Sequence, residues 1–165
     1  MVSFSNSNDE LTVQSNGAIF RETPGHRPDR FVLDEQISHL IRRAHQRASA
    51  TFMSLLAEGQ FTPTQFFALA RLRECGEVSQ NHLGRLAAMD PATIQGVIKR
   101  LQQRGFIKRN PDPGDRRRML LRLTPEGREA VDGLLARTDA VNHELLAPLA
   151  PHEREQFRNL LKRIV

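Results

Sequence analysis

From Phe31 onward, apolar residues recur at helical spacing along most of this chain. Leu33, Ile37, Leu40, Ile41, Ala44, Ala48, Phe52 and Leu55 form a wide stripe, which predicts a helix from Phe31 to about Glu58 with Gly59 as its stop. Phe61-Thr62-Pro63-Thr64-Gln65-Phe66 predicts a second start. Thr62 caps it, Pro63 takes the first helical position, Gln65 can close a capping box, and Phe61 can staple onto Phe66. That helix should run to about Glu74 and stop at Gly76. Val78 fits a short edge strand, and Ser79 caps a helix over 80–88 with Leu83, Leu86 and Ala87 inward. Asp90 and Pro91 open the next helix, whose stripe is Ile94, Val97, Ile98 and Leu101. Gly105 then stands where a left-handed C-terminal residue is wanted.

Beyond Gly105 the pattern changes. Phe106-Ile107 and Met119-Leu120-Leu121 read as two hairpin arms, joined by the turn formers Asn110-Pro111-Asp112-Pro113-Gly114-Asp115. Thr124-Pro125-Glu126 repeats the cap-plus-proline signal and predicts one long helix to about Leu146. Ala130, Leu134, Leu135, Thr138, Val141, Leu145 and Leu146 lie on or near one face of it. Pro148 and Pro151 break it, and a last helix from His152 to Ile164 carries Phe157, Leu160, Leu161 and Ile164. Residues 1–30 are polar, contain Pro and Gly, and show no sustained period, so they read as a flexible arm.

These elements predict a mainly α protein with a small β-wing. Residues 61–123 form a winged helix-turn-helix: two short helices joined by a turn at Met89-Asp90, followed by the hairpin. The helices of 31–60 and 124–165 flank this module and have too little local domain to cover their stripes. Intertwining with a second copy of the chain is the economical solution.

Charge sharpens the picture. Between Arg85 and Arg122 there are ten Lys/Arg and three Asp, a local balance of +7, whereas the whole chain carries +5. Positive charge is therefore concentrated on one helix and one hairpin, as a DNA-binding surface requires, because phosphate neutralisation supplies much of the affinity. A single cysteine, Cys75, excludes an intramolecular disulfide and suits a reducing cytoplasm. No signal peptide is recognisable, and no stretch approaches the ~18 apolar residues of a membrane span. Enzyme motifs fail: His152-Glu153-Arg154-Glu155-Gln156 and His143-Glu144-Leu145-Leu146-Ala147 each lack the second histidine of a zinc-protease helix. No phosphate loop or nucleophile elbow is present, the six histidines are scattered, and no metal or cofactor is expected.

Three motifs, Leu101-x-x-Arg104-Gly105-Phe106-Ile107, Asp115-Arg116-Arg117-Arg118 and Leu121-x-Leu123-Thr124-Pro125-Glu126-Gly127, occur in this order. Any one alone is weak. Together, within residues 33–164, they resemble the MarR (multiple antibiotic resistance regulator) family of bacterial transcription factors. The resemblance implies a homodimer of winged helix-turn-helix subunits on a palindromic operator, usually a repressor released by a small, frequently aromatic and anionic ligand.

The candidate DNA-contacting residues follow. On the 91–104 helix, Thr93, Gln95, Gly96, Lys99 and Arg100 lie off the apolar stripe. Gln pairs with adenine edges, Thr meets a thymine methyl or a phosphate, and Gly96 can allow close approach. From the wing, one of Arg116, Arg117 and Arg118 is expected in the minor groove and the others at phosphates. Asp115 should orient a neighbouring arginine, since a bare carboxylate is repelled by phosphate. By the resemblance, a ligand pocket would lie near the dimer interface between the first helix, the 63–74 helix and the start of the long helix. There His39 and Arg43, spaced i,i+4, can meet one ligand carboxylate, and Phe66 and Phe67 can supply an aromatic wall. Equally, His39 and Arg43 can be surface groups and the Phe pair core. Cys75 reads as structural: at a helix C-terminus the dipole disfavours thiolate, and no Tyr assists. Redox-responsive regulation through Cys75 and nonspecific architectural DNA binding stand as alternatives.

Overall fold

The computed structural model of the chain describes residues 31–56, 61–115 and 117–165. The expected arm at 1–30, the stop at Gly59 and the side chain of Arg116 lie outside the described residues.

A 3-10 turn, Leu33–Glu35, precedes α1 (Ile37–Leu56). Then come α2 (Pro63–Cys75), β1 (Val78–Ser79), α3 (Gln80–Leu86), α4 (Pro91–Gln103), β2 (Ile107–Pro111) and β3 (Met119–Leu123). Three helices complete the chain: α5 (Pro125–Leu135), α6 (Thr138–Leu145) and α7 (Pro151–Ile164). The strands form one antiparallel sheet in the order β1-β3-β2, with Val78 opposite Leu121 and Arg109 opposite Leu121 on the other side. Mostly helix with a three-stranded wing is the fold class that the sequence leads one to expect.

The local signals act as read. Thr62 Oγ1 accepts the Gln65 N–H at 3.3 Å and Gln65 Oε1 accepts the Thr62 N–H at 3.0 Å, a complete capping box. This explains why Gln65 is polar yet buried. Ile94, Val97, Ile98 and Leu101 of α4 are all buried, with Leu69, Leu72, Leu83, Leu121 and Val131 around them. Gly105 takes φ 75°.

One junction explains the Gly-Phe and Thr-Pro-Glu-Gly motifs together. Thr124 Oγ1 donates to the Gly105 carbonyl at 2.7 Å and accepts the Gly127 N–H at 3.0 Å, while the Thr124 N–H donates to the Phe106 carbonyl at 3.0 Å. A Cβ on Gly127 would lie 1.9 Å from that Phe106 carbonyl oxygen. The end of α4 is thereby locked onto the start of α5, which fixes where the wing departs. Arg104 closes the same corner with its guanidinium 4.3 Å from the Phe61 ring centre and 4.8 Å from that of Phe106.

Three boundaries differ from expectation. The first helix begins at Ile37, because Gln36 is extended (φ −73°, ψ 127°). The third ends at Leu86, because Ala88 takes φ 52° to turn the chain into α4. The long helix expected to Leu146 is two helices, broken at Ala136–Arg137. There the Arg137 N–H turns to the Leu134 carbonyl, the Thr138 hydroxyl takes the Leu135 carbonyl at 2.7 Å, and the Arg137 guanidinium donates to the Leu55 carbonyl of α1 at 2.6 Å. Among the described residues, no helix is long and apolar enough to cross a membrane.

Candidate nucleic-acid interface

The recognition helix is built from Asp90 upward. Its carboxylate accepts the N–H groups of Ala92 at 3.0 Å and Thr93 at 2.9 Å, and also the Thr93 hydroxyl. The Thr93 hydroxyl, then its N–H, hold the exposed Asp90 carboxyl below its ordinary value. With its hydrogen thus engaged, the half-buried Thr93 retains a methyl group and oxygen lone pairs for contact. Gln95 and Lys99 are exposed one turn apart. Arg100 folds back along the helix, its Nε donating to the Gly96 carbonyl at 3.2 Å. A Cβ on Gly96 would sit 3.3 Å from the Arg100 guanidinium, so the glycine makes room for that arginine as well as for an approaching surface.

The wing has its own internal order. Asp112 accepts the Gly114 N–H at 2.8 Å, and the backbone closes through Asp112 N–H to the Arg118 carbonyl at 3.0 Å. The Arg118 Nε lies 3.9 Å from the Asp112 carboxylate. Asp115 accepts the backbone N–H of Arg117 at 3.0 Å. Asp115, expected to orient a neighbouring arginine, holds the main chain of Arg117, while the carboxylate nearest the Arg118 side chain is that of Asp112. Arg117 and Arg118 are exposed. Arg109 donates to Gln80 at 3.0 Å and Arg122 to Glu77 at 3.2 Å, which ties the strands to the helix-turn-helix beside them. The result is one exposed polar helix face, its far side sealed in the core, next to an ordered basic loop. Such a shape can enter a major groove while the loop follows the backbone.

The residues named for a ligand fall in two places. His39 Nε2 and Arg43 Nη1 lie 3.4 and 3.2 Å from one oxygen of Asp34. Phe66 is core, its ring 5.2 Å from Phe52 and 5.6 Å from Phe67. Phe67 is 46% exposed. Phe52 follows His39 by thirteen residues on α1, about 20 Å at the helical rise, so one chain does not bring the four together. Cys75 is the exposed last residue of α2.

Residues 61–119, the module containing this interface, match the model of the MarR family. The chain is 35% identical to the HTH-type transcriptional repressor NicR of Pseudomonas putida, over 79% of this chain and 83% of NicR. The chain belongs to the MarR family. Among solved structures it resembles a probable transcriptional regulator from Pseudomonas aeruginosa (48% identity, TM-score 0.77), over 81% of this chain and all of that one. It also resembles BpsR of Bordetella bronchiseptica, whose DNA binding is regulated by 6-hydroxynicotinic acid. That match has 35% identity and a TM-score of 0.77 over 82% of this chain and 96% of BpsR.

This MarR-family chain is therefore a DNA-binding transcriptional regulator. Sequence reasoning did not single out two carboxylates that lie against the named side chains. Asp112 was visible as one more turn former, and an Asp two residues before a glycine is the available signal for an Asx turn. Asp34 carries no local signal, because its partners lie on the next element.

Proposed function

We propose that this MarR-family regulator is a homodimeric repressor which holds a palindromic operator and is released by a small aromatic carboxylate. The observation that carries the reading is α4 itself: one face is buried, and the opposite face presents Gln95, Lys99 and Arg100 beside the wing. Gln95 reads an adenine edge, Thr93 meets a thymine methyl, and Lys99 and Arg100 meet phosphates or a guanine edge. Arg117 enters the minor groove, with Arg116 and Arg118 at its rims and Asp115 holding the loop. Ile37, Leu40 and Ile41 of α1 and Phe157, Leu160 and Leu161 of α7 are exposed apolar residues on the flanking helices. Each supports the assignment of 31–60 and 124–165 to dimerisation. Likeness to a repressor, NicR, and to a regulator that answers to 6-hydroxynicotinic acid, BpsR, supports both the direction of control and the ligand class. Operator binding places the protein in the compartment that holds chromosomal DNA.

Fluorescence anisotropy with the DNA upstream of the protein's own gene, against random-sequence competitor, tests the reading. Tight, competitor-resistant binding that 6-hydroxynicotinic acid releases is the expected result. Binding removed equally by target and competitor would instead favour an architectural DNA binder. Release by peroxide, lost in Cys75→Ser, would transfer control to the thiol.

A further inference from the structure

The Asp34 carboxylate lies against the two side chains, His39 and Arg43, that a ligand carboxylate would need. One oxygen, Oδ1, stands 3.4 Å from His39 Nε2 and 3.2 Å from Arg43 Nη1, and the guanidinium donates a hydrogen bond to it. The two donors sit one turn apart on α1 and converge on that single atom. Asp34 belongs to the Leu33–Glu35 turn, which buries no residue and is bounded by extended backbone at Val32 and Gln36. Among the described residues, three bonds hold that turn: Glu35 N–H to Val32 O at 3.2 Å, Gln36 N–H to Leu33 O at 3.0 Å, and Gln36 Nε2 to Val32 O at 3.2 Å. The Asp34 side chain is 73% exposed, whereas that of His39 is 26% exposed. The donors are therefore seated on a regular helix, and the acceptor is a weakly tethered arm. An exposed pair of this kind contributes little and gives way to a competitor.

We propose that Asp34 is an internal stand-in for the effector: its carboxylate closes the His39–Arg43 site in the unliganded protein, and an aromatic carboxylate enters by displacing it. This rests on the ligand-release reading above and adds to it a competitor within the chain. Two consequences follow. The site selects carboxylates over their amides, because the donors answer to a charge-assisted acceptor. Apparent affinity is reduced by the fraction of time the site is closed. Removing the competing charge should therefore tighten effector binding.

The test is isothermal titration of the full chain with 6-hydroxynicotinic acid and with its amide, for wild type and Asp34→Asn. The expected result is acid binding tightened roughly two- to five-fold in Asp34→Asn, with the amide, which needs the same open site, gaining no more than that and remaining the weaker ligand. Arg43→Gln should abolish the preference for the acid. Unchanged or weakened acid binding in Asp34→Asn would overturn the proposal. Should wild type bind neither compound, the ligand assignment fails, and the site is then read with acetate by proton NMR. The His39 imidazole signal, identified by its loss in His39→Gln, should respond at lower acetate concentration in Asp34→Asn. Equal response in both proteins would overturn the stand-in role by itself.

Discussion

The two ends of α1 differ sharply in their surroundings. Phe52 and Leu56, at its C-terminal end, are buried in the core, while Ile37, Leu40 and Ile41, at its start, are exposed. The contrast extends to whole elements. α2 and α4 each bury four or more residues, whereas α6 and α7 bury none. α7 nevertheless has a clear amphipathic pattern and is held at its start, where Glu153 accepts the Ala150 N–H at 2.7 Å and Arg154 Nε donates to the Leu149 carbonyl at 2.9 Å. A helix that is capped and patterned but not covered is complete only against another surface. The DNA-reading lobe buries its apolar faces within one chain, whereas the outer helices leave theirs exposed, which is why they are proposed to meet a second chain.

The largest expected effect lies inside the closed lobe. Gly127→Ala drives a methyl group to 1.9 Å from the Phe106 carbonyl oxygen, and the backbone there is itself hydrogen-bonded to Thr124. A loss of about 3–4 kcal/mol in urea unfolding is expected. Gly133→Ala on the same helix meets nothing within 4 Å and should gain about 0.5–1 kcal/mol. Equal effects from the two glycines would break the claim of a tight junction.

Next comes the open region. Leu161→Asp on α7 should leave the lobe folded, with unchanged near-native helix content. It should weaken self-association by about 3 kcal/mol, roughly a hundredfold, as read by sedimentation equilibrium. A folded protein with unaltered mass distribution would show that α7 covers itself in some other way.

A smaller effect separates backbone strain from packing. Ala88 carries φ 52° between α3 and α4. Ala88→Gly should stabilise the lobe by about 1 kcal/mol without changing DNA affinity, since the side chain is exposed and the conformation is retained.

The smallest effect is acid sensitivity at the helix starts. The Thr93 hydroxyl holds Asp90 below the ordinary carboxylate range, and Glu126 is held below it by its own N–H first, with the charge of Lys108 adding to it. Both folded values lie below the unfolded ones, so the stabilisation is present above the unfolded values and is lost as pH falls through the folded ones. Unfolding midpoints should decline below about pH 4.5, and less so in Asp90→Ser, which caps without titrating in that range. An identical decline in Asp90→Ser would remove Asp90 from the effect.

What could be read from the chain divides along the same line. Thr62-Pro63, Asp90-Pro91 and Thr124-Pro125 mark helix starts to the residue, because a cap and its targets lie within three positions. Ile94, Val97, Ile98 and Leu101 are legible as core since the helical period alone puts them on one face. The break at Arg137 was not legible: its guanidinium goes to the Leu55 carbonyl, 82 residues away in sequence. Phe66 and Phe67 look alike in sequence, and only the packing of Phe52 decides that Phe66 faces the core. At the wing, the arginines were visible as charge, while the division of labour between Asp112 and Asp115 depends on turn geometry. For the His39–Arg43 pair, i,i+4 spacing pointed to one ligand carboxylate or to plain surface groups, and the fold places the Asp34 carboxylate of the preceding turn against both.

The most direct test counts chains on DNA. Native mass spectrometry of the protein with the duplex selected by anisotropy should give two chains per duplex, with single-chain complexes appearing in Leu161→Asp at far lower affinity. A wild-type complex that saturates at one chain per duplex, or Leu161→Asp binding as tightly as wild type, would contradict the account of a closed DNA-reading lobe paired through open outer helices.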